Sequence, residues 1–264
     1  MAFTRANDIV VHHQILGREN APVIVFANSL GSDFRIWQAV VPYLADRYRI
    51  LLYDKRGHGL SDAPAGPYTI DDHADDLLAL LDHLDIAQAA LVGLSVGGMI
   101  AQRIAVKAPA RVRALVLCDT AAKIGTRESW AERIAAVEAS GIDAIADSVM
   151  QRWFTPAFRS AQPDEWAGWR NMLVRTPARG YVATCATIRD ADLTGDAARI
   201  AAPTLCLVGD QDGSTPPDLV RQTADLIPGA RFEIIDGAGH IPCIERPDET
   251  AELIGRHLRE VRHV

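Results

Sequence analysis

The sequence has no long hydrophobic run, no excess of basic residues and no closely spaced cysteines. No stretch approaches the roughly 20 apolar residues that a membrane-spanning helix needs, which argues against a membrane protein. The 27 basic and 34 acidic side chains give a net charge of −7, whereas a nucleic-acid-binding face is usually basic. We therefore expect neither a membrane nor a nucleic acid as a partner.

The cysteines lack the short spacings of a zinc site or a redox motif. We expect all four to be small buried residues that form no disulfide: Cys118, Cys185, Cys206 and Cys243. The first residues, MAFTRANDIVVHHQILG, contain no basic segment followed by an apolar one, so a secretory signal is not expected. These features favour a cytoplasmic protein without a metal site.

Short aliphatic runs alternate with longer amphipathic segments over most of the 264 residues. The runs are nearly continuous in apolar residues, as in strands buried on both faces of a parallel sheet: 23–27, 49–53, 89–93, 113–118, 204–208 and 231–235. Apolar residues recur at helical spacing in four segments, 70–84, 98–107, 217–226 and 247–261. The alternation predicts an α/β fold with a mostly parallel central sheet and flanking helices. Residues 9–16 are predicted to form an antiparallel edge strand of a hairpin.

The alternation breaks between residues 121 and 195. This stretch is helical in pattern, contains no convincing strand and holds four of the five tryptophans. We interpret it as a helical cap inserted into one α/β core, which residues 1–120 and 196–264 would form.

Residues 93–97, GLSVG, match the pattern G-x-S-x-G between a predicted strand and a predicted helix. A sharp strand-to-helix turn holds such a serine in a strained backbone conformation and leaves no room for side chains at the flanking glycines. We therefore expect Ser95 to be a nucleophile. The alternative is a glycine-rich turn or a phosphate-binding loop, but the G-K-[ST] ending of a nucleotide loop is missing.

A serine hydroxyl becomes a good nucleophile when a base takes its proton. Among the eight histidines, His240 follows the last predicted strand in a flexible loop, DGAGHIP (236–242), and is the expected general base. His58, in the segment RGHG (56–59), is expected to make structural hydrogen bonds instead.

The base needs a carboxylate that holds its tautomer and stabilises the imidazolium. In VGDQDG (208–213), Asp212 is the expected acid because it lies further into the loop, whereas Asp210 is expected to shape the turn. Asp119 follows an earlier strand and remains an alternative acid. The order Ser, Asp, His along the chain is the one expected for α/β-hydrolases.

An acyl-transfer site also needs backbone N–H groups directed at the developing oxyanion. One is expected from Val96, the residue after the nucleophile. The other is expected from Leu30, in the loop NSLG (28–31) that follows the strand at 23–27.

Together these residues resemble the α/β-hydrolase superfamily and, within it, the 3-oxoadipate enol-lactonases. The likeness covers nearly the whole chain and is carried by FANSLGSDFRIW (26–37), YDKRGHGLSD (53–62), GLSVGGMIAQ (93–102), LCDTAAKIG (117–125), RWFTP (152–156), GYVATCATIRDADL (180–193) and GAGHIPCIERP (237–247). Two positions depart from the pattern of these lactonases. Asp119 stands where asparagine is usual, and Lys55 where a neutral residue is often found.

The resemblance implies an α/β-hydrolase fold and hydrolysis of a small anionic lactone, 3-oxoadipate enol-lactone, to 3-oxoadipate in the β-ketoadipate route of aromatic catabolism. It implies an acyl-enzyme on Ser95 and no cofactor. An anionic substrate arm would bind a cation. Arg133 lies one helical turn after Trp130, and we expect this pair to help line the pocket. Most other cations of the cap are expected on solvated faces: Lys123, Arg127, Arg152, Arg170 and Arg189.

Other functions are compatible with the same residues. A general carboxylesterase, a C–C bond hydrolase and a cofactor-free perhydrolase would all use this triad. A dehalogenase or an epoxide hydrolase is disfavoured because it needs an aspartate in place of Ser95. Outside the enzymes, a ligand-binding protein on a hydrolase scaffold is the alternative. The sequence predicts no particular oligomeric state.

Overall fold

A single sheet forms the centre of the computed structural model, which describes residues 1–262. Within this range the strands are β1 (Ala2–Ala6), β2 (Ile9–Gly17), β3 (Val23–Ala27), β4 (Arg49–Tyr53), β5 (Ala89–Leu94), β6 (Val112–Cys118), β7 (Thr204–Gly209) and β8 (Arg231–Ile235). Their order across the sheet is β1-β2-β4-β3-β5-β6-β7-β8. Strands β3 to β8 are parallel, whereas β2 is antiparallel to both of its neighbours. The predicted α/β fold with a mostly parallel sheet is confirmed.

Helices connect the strands and cover the sheet. In chain order they are α1 (Val41–Leu44), α2 (Ile70–His83), α3 (Val96–Lys107), α4 (Arg127–Ser140), α5 (Asp143–Trp153), α6 (Pro156–Ala161), α7 (Pro163–Val174), α8 (Ala178–Asp190), α9 (Thr194–Ala197), α10 (Pro217–Leu226), α11 (Pro242–Glu245) and α12 (Pro247–Glu260). Two short 3₁₀ helices lie at Phe34–Trp37 and Pro109–Arg111.

The sheet has an apolar cluster on each face. Helices α2, α3 and α10 pack on one cluster through residues such as Leu77, Ile104 and Val220. Helices α1 and α12 pack on the other cluster through Leu44 and Ile254. Because both faces are covered, every residue of β3 and of β5 is buried, which explains their unbroken apolar sequence.

The prediction of an edge strand at residues 9–16 was wrong in one respect. Strand β2 pairs with β4 on one side and with β1 on the other, so β1 is the edge. The sequence AFTRA of β1 has no apolar run, because three of the five residues of this edge strand are exposed. His13 of β2 is buried and bonds Thr4 of β1 through Nε2 at 2.9 Å.

All secondary structure between β6 and β7 is helical, from α4 to α9. Trp130 of α4 and Trp153 of α5 belong to the same apolar cluster as Leu30, which follows β3. These helices therefore pack on the sheet's loops through a continuous apolar contact. The division into a cap at residues 121–195 and a core on either side stays a prediction.

All four cysteines are buried and have free thiols, as expected. Among residues 1–262, no helix combines the length and the apolar character that crossing a bilayer requires.

Candidate active site

Ser95 occupies the sharp turn between β5 and α3. Its backbone has φ 56° and ψ −120°, a region that non-glycine residues rarely adopt. A Cβ at Gly93 would collide with the carbonyl of Gly97, and a Cβ at Gly97 with the carbonyl of Ala27 on β3. The turn is fixed by hydrogen bonds from the Ser95 amide to the Cys118 carbonyl at 3.0 Å and from the Thr120 hydroxyl to the Ser95 carbonyl at 2.6 Å. The predicted strained turn is therefore present.

His240 lies in the loop after β8 and contacts the loop after β7. Its Nδ1 is 2.9 Å from Oδ2 of Asp212, and both side chains are almost fully buried. This contact leaves Nε2 as the ring nitrogen that is available to a reacting group. The structure thus brings together His240 and the carboxylate that sequence reasoning favoured.

Asp212 accepts hydrogen bonds from three further donors. Its Oδ1 accepts from the amides of Ser214 at 2.7 Å and Thr215 at 3.1 Å, and its Oδ2 accepts from the Thr215 hydroxyl at 2.6 Å. Burial alone would raise the pKa of Asp212, but the charge and the hydrogen bond of His240, with those from Thr215 and Ser214, lower it. Asp212 is therefore a carboxylate suited to hold an imidazolium.

Asp119, the alternative acid, has a different environment. Its Oδ1 accepts from the Gly209 amide at 2.9 Å, while its Oδ2 is buried and bonds no group in the described chain. Burial, followed by the charge of Asp212, raises the pKa of Asp119 well above its ordinary value. Two carboxyl groups so close together do not both ionise readily, and Asp119 is the one that stays neutral.

Asp119, Asp212 and His240 place potential metal ligands within 4.8 Å of one another. The lone pairs of Asp212 are, however, used by amide, hydroxyl and imidazole donors. The oxygen and nitrogen atoms of this cluster are therefore arranged to share protons in hydrogen bonds rather than to bind a metal ion.

Two other carboxylates fix the loop that carries His240, residues 236–242. Asp210 accepts from the amides of Gly237 and Ala238 at 2.8 and 3.1 Å, so the expectation that it shapes the turn is confirmed. Glu245 accepts from the Gly239 amide at 2.9 Å and from the Thr155 hydroxyl at 2.7 Å. Sequence reasoning missed Glu245, because its partner Thr155 is 90 residues away along the chain, in the segment between β6 and β7.

The loop after β3 brings Leu30 close to Ser95, and both line one cavity. Within residues 1–262, neither the amide of Leu30 nor that of Val96 donates a hydrogen bond. The neighbouring amide of Gly31 donates to Nε2 of His58 at 2.9 Å, which confirms the structural role expected for this histidine. Two free N–H groups near the serine are the requirement for an oxyanion site.

The cavity has a volume of about 210 Å³ and contains most of the predicted site residues. Its lining includes Leu30, Ser95, Trp130, Arg133, Arg152, Tyr181 and His240. The guanidinium of Arg133 lies 4.8 Å from the centre of the Trp130 ring, and Nε1 of Trp130 donates to the Ile124 carbonyl at 2.6 Å. The expectation that Trp130 and Arg133 share a face and line the pocket agrees with this geometry.

Arg152 also lines the cavity, so it is an exception to the expectation that most cations of the cap lie on solvated faces. It lies on α5, whose packing against the site cannot be inferred from sequence spacing. Burial, followed by the charge of Arg133, lowers the pKa of the Arg152 guanidinium. The guanidinium still remains charged, because arginine does not deprotonate in proteins.

Four other cations of the helical segment between β6 and β7 are ion-paired at the surface. They pair with aspartates: Lys123 with Asp192, Arg127 and Arg189 with Asp190, and Arg170 with Asp143 and Asp147. Three further arginines of this segment form no ion pair among residues 1–262 but do not line the cavity: Arg159, Arg175 and Arg179. Arg133 and Arg152 have no acidic partner among residues 1–262. The cavity therefore combines a serine, an imidazole and two unpaired positive charges, and the free amides of Leu30 and Val96 lie next to the serine.

Comparison with known proteins agrees with this arrangement. Residues 22–247 match the family described as the alpha/beta hydrolase fold. The chain is 36% identical to 3-oxoadipate enol-lactonase 2 of Acinetobacter baylyi over 92% of this chain and 90% of that protein. The crystal structure of the enol-lactonase from Burkholderia xenovorans LB400 has a TM-score of 0.95 and 38% identity, covering 98% of this chain and all of that one. A thermophilic esterase from Thermogutta terrifontis has a TM-score of 0.92 and 29% identity, covering 100% of this chain and 99% of that one. The chain therefore belongs to the α/β-hydrolase fold family and is an ester hydrolase similar in sequence and structure to enol-lactonases.

Proposed function

We propose that this protein hydrolyses 3-oxoadipate enol-lactone to 3-oxoadipate through an acyl-enzyme, in aromatic (β-ketoadipate) catabolism. The observation that carries the proposal is the pair of guanidiniums, Arg133 and Arg152, that lack acidic partners in a small cavity shared with Ser95 and His240. Two unpaired cations fit a substrate with a carboxylate arm. The relatives named as enol-lactonases support the same substrate.

Acylation begins when Oγ of Ser95 attacks the lactone carbonyl carbon and passes its proton to Nε2 of His240. The charge that develops on the carbonyl oxygen is stabilised by the amides of Leu30 and Val96. Asp212 holds Nδ1–H of His240 and stabilises the imidazolium. The ring C–O bond then breaks, and the leaving enol oxygen takes the proton from His240. The enol remains tethered to the acyl-enzyme and can ketonise.

Deacylation uses the same groups, but water is now the nucleophile and Oγ of Ser95 is the leaving group. Water attacks the acyl carbon and gives its proton to His240, which returns a proton to the leaving Oγ of Ser95. The new carboxyl group ionises, so the product carries two carboxylates. The proton transfers that accompany acylation and deacylation pass through one imidazole, and the residues of the triad need no cofactor.

We also propose that Arg133 and Arg152 together bind the carboxylate arm while Trp130 positions Arg133 through a cation–π contact. A guanidinium binds a carboxylate through charge-assisted hydrogen bonds, each worth about 1.5–3 kcal/mol. A neutral substrate, such as a simple ester, would have no need for two such charges beside the serine. We place the enzyme in the cytoplasm, because four free cysteines are typical of a reducing compartment.

The proposal is tested by replacing each arginine with alanine and measuring steady-state kinetics. Arg133→Ala and Arg152→Ala should each raise KM for the anionic enol-lactone about tenfold, since each removes one charged hydrogen-bond donor. A neutral lactone of similar size should be hydrolysed at unchanged rates. Arg170→Ala, which removes two surface ion pairs, is the matched control. Equal losses with the neutral and the anionic lactone would contradict the proposed anion site.

A further inference from the structure

Lys55 is a buried cation that the proposed mechanism does not use. It follows β4 and is only 2% exposed. No carboxylate in the described chain forms an ion pair with it, because the two nearby acids are engaged elsewhere. Asp54 bonds His12 and the amide of Phe34, and Asp33 pairs with Arg35. Burial of an unpaired ammonium is unfavourable, so its contacts need an explanation.

Those contacts are two carbonyls of the loop that follows β3. Nζ of Lys55 lies 2.5 Å from the carbonyl oxygen of Ser29 and 3.4 Å from that of Ser32. The Ser29 oxygen also accepts from the hydroxyl of Ser32 at 3.0 Å and from its amide at 3.3 Å. Three donors therefore converge on one carbonyl, and one of them is positively charged.

The Ser29 carbonyl and the Leu30 N–H belong to the same peptide unit. Hydrogen bonds to the oxygen of an amide draw electron density from its nitrogen, so its N–H becomes a stronger donor. They also fix the plane of the peptide and hence the direction of the N–H. The other side of the loop is held by His58, which accepts from the Gly31 amide.

We propose that Lys55 is a positioning residue for the oxyanion site: its ammonium binds the Ser29 carbonyl and thereby orients and polarises the peptide whose N–H belongs to Leu30. This inference rests on the proposed function, in which the Leu30 amide stabilises the oxyanion. It applies to any acyl substrate, since the oxyanion forms with a lactone and with an open-chain ester alike.

The inference predicts a dependence on pH with a definite sign. Burial lowers the pKa of Lys55 to about 7, although Asp54 and Asp33 act in the opposite direction. Two histidines also lie near this ammonium, and burial, followed by its charge, lowers the pKa of both His58 and His73 well below the ordinary value. They are therefore already neutral when Lys55 loses its proton. As pH rises above about 7, the ammonium becomes a neutral amine, the Leu30 N–H becomes a weaker donor and kcat falls.

This alkaline loss of activity would not reflect unfolding. The ordinary pKa of lysine, 10.5, describes the unfolded chain, so between about 7 and 10.5 the unfolded state binds more protons at this site than the folded state. The contribution of Lys55 to the free energy of unfolding therefore increases with pH in this window. Activity and this stability contribution should change in opposite directions.

The test compares Lys55→Met, which keeps an unbranched side chain but removes the ammonium, with Lys55→Arg, which keeps the charge. Lys107→Met, a surface lysine paired with Asp71 and Asp75, is the matched control. Lys55→Met should lower kcat about tenfold, less than the 10²–10³ expected for loss of an oxyanion donor, with little change in KM. The fall of kcat above about pH 7, called here the alkaline limb, should be absent in Lys55→Met. Lys55→Arg should restore kcat without this alkaline limb. Both the enol-lactone and p-nitrophenyl acetate are assayed.

A measurement on the unaltered protein covers the case in which the variants fail to fold. The chain has three lysines, at positions 55, 107 and 123, so protein labelled with ¹³C at lysine Cε gives three signals. One signal should titrate near pH 7, together with the alkaline limb of kcat.

Three results would overturn the inference: unchanged kcat in Lys55→Met, retention of its alkaline limb, or a limb in the unaltered protein that coincides with none of the three lysine signals. If the Lys55 effects are found with p-nitrophenyl acetate while the enol-lactone is not hydrolysed, the lactone assignment fails and the inference about Lys55 stands. Turnover of neither substrate would contradict both.

Discussion

The two buried carboxyl groups near His240 differ in the hydrogen bonds that they accept. Asp212 has three donors besides the imidazole, whereas Asp119 has one amide donor and one oxygen without a partner in the described chain. A carboxylate needs donors, and a protonated carboxyl needs fewer. This contrast assigns the charged role to Asp212 and the neutral role to Asp119.

Replacement of each acid by asparagine tests this assignment. Asp212→Asn should lower kcat by about 10³–10⁴, because the amide favours the wrong tautomer of His240. Asp119→Asn should leave kcat within about threefold of the parent, because it replaces a neutral group by a neutral group of the same shape. The measurement is kcat for the enol-lactone. A larger loss in Asp119→Asn than in Asp212→Asn would reverse the two roles.

Among single residues, the sequence predicts the position of those that directly follow a strand. Ser95, Asp212 and His240 all follow parallel strands, and the carboxyl ends of such strands lie at one edge of the sheet. Arg152 and Glu245 could not be predicted in the same way. Their contacts depend on how helices α5 and α11 pack over the loops, and that packing is set by tertiary contacts rather than by local spacing.

The central element of the site is the turn from β5 to α3. The strained conformation of Ser95 persists because β5 is buried on both sides and α3 packs directly against β3. Sequence periodicity predicted the strand and the helix correctly but began the helix at residue 98, two residues late. The glycines at 97 and 98 are poor helix formers, yet close packing against Ala27 and Thr120 requires them. The short edge strand β1 was missed because three of its five residues are exposed, so it has no apolar run.

A substitution at Gly97 tests the packing of this turn. Gly97→Ala should lower the free energy of unfolding by about 2–3 kcal/mol, because the added methyl group collides with the Ala27 carbonyl of β3. Gly168→Ala is the control, since that glycine lies in α7 with nothing within 4 Å of the added atom. It should stabilise the protein by up to about 1 kcal/mol through helix propensity. Urea unfolding of both variants gives the comparison, and equal stability of the two would argue against the close approach.

Across the whole molecule the charge is unevenly distributed. The chain carries a net charge of −7, and four surface cations of the segment between β6 and β7 are ion-paired. Arg133 and Arg152 keep their charge unpaired within the cavity. Because helices α4 and α5 share an apolar cluster with the loops of the sheet, they hold these two charges close to Ser95. An acidic protein thereby presents a local positive site to a small anion.

The rates for two substrates test the proposed activity most directly. The kcat/KM for 3-oxoadipate enol-lactone, followed by loss of its ultraviolet absorbance, is compared with that for p-nitrophenyl acetate. Because the ester lacks the carboxylate arm that the two arginines bind, the lactone should be preferred by at least about 10²-fold, the value of one or two charged hydrogen bonds. Ser95→Ala should abolish both activities. A higher kcat/KM for the ester would contradict the lactonase assignment and leave a general esterase.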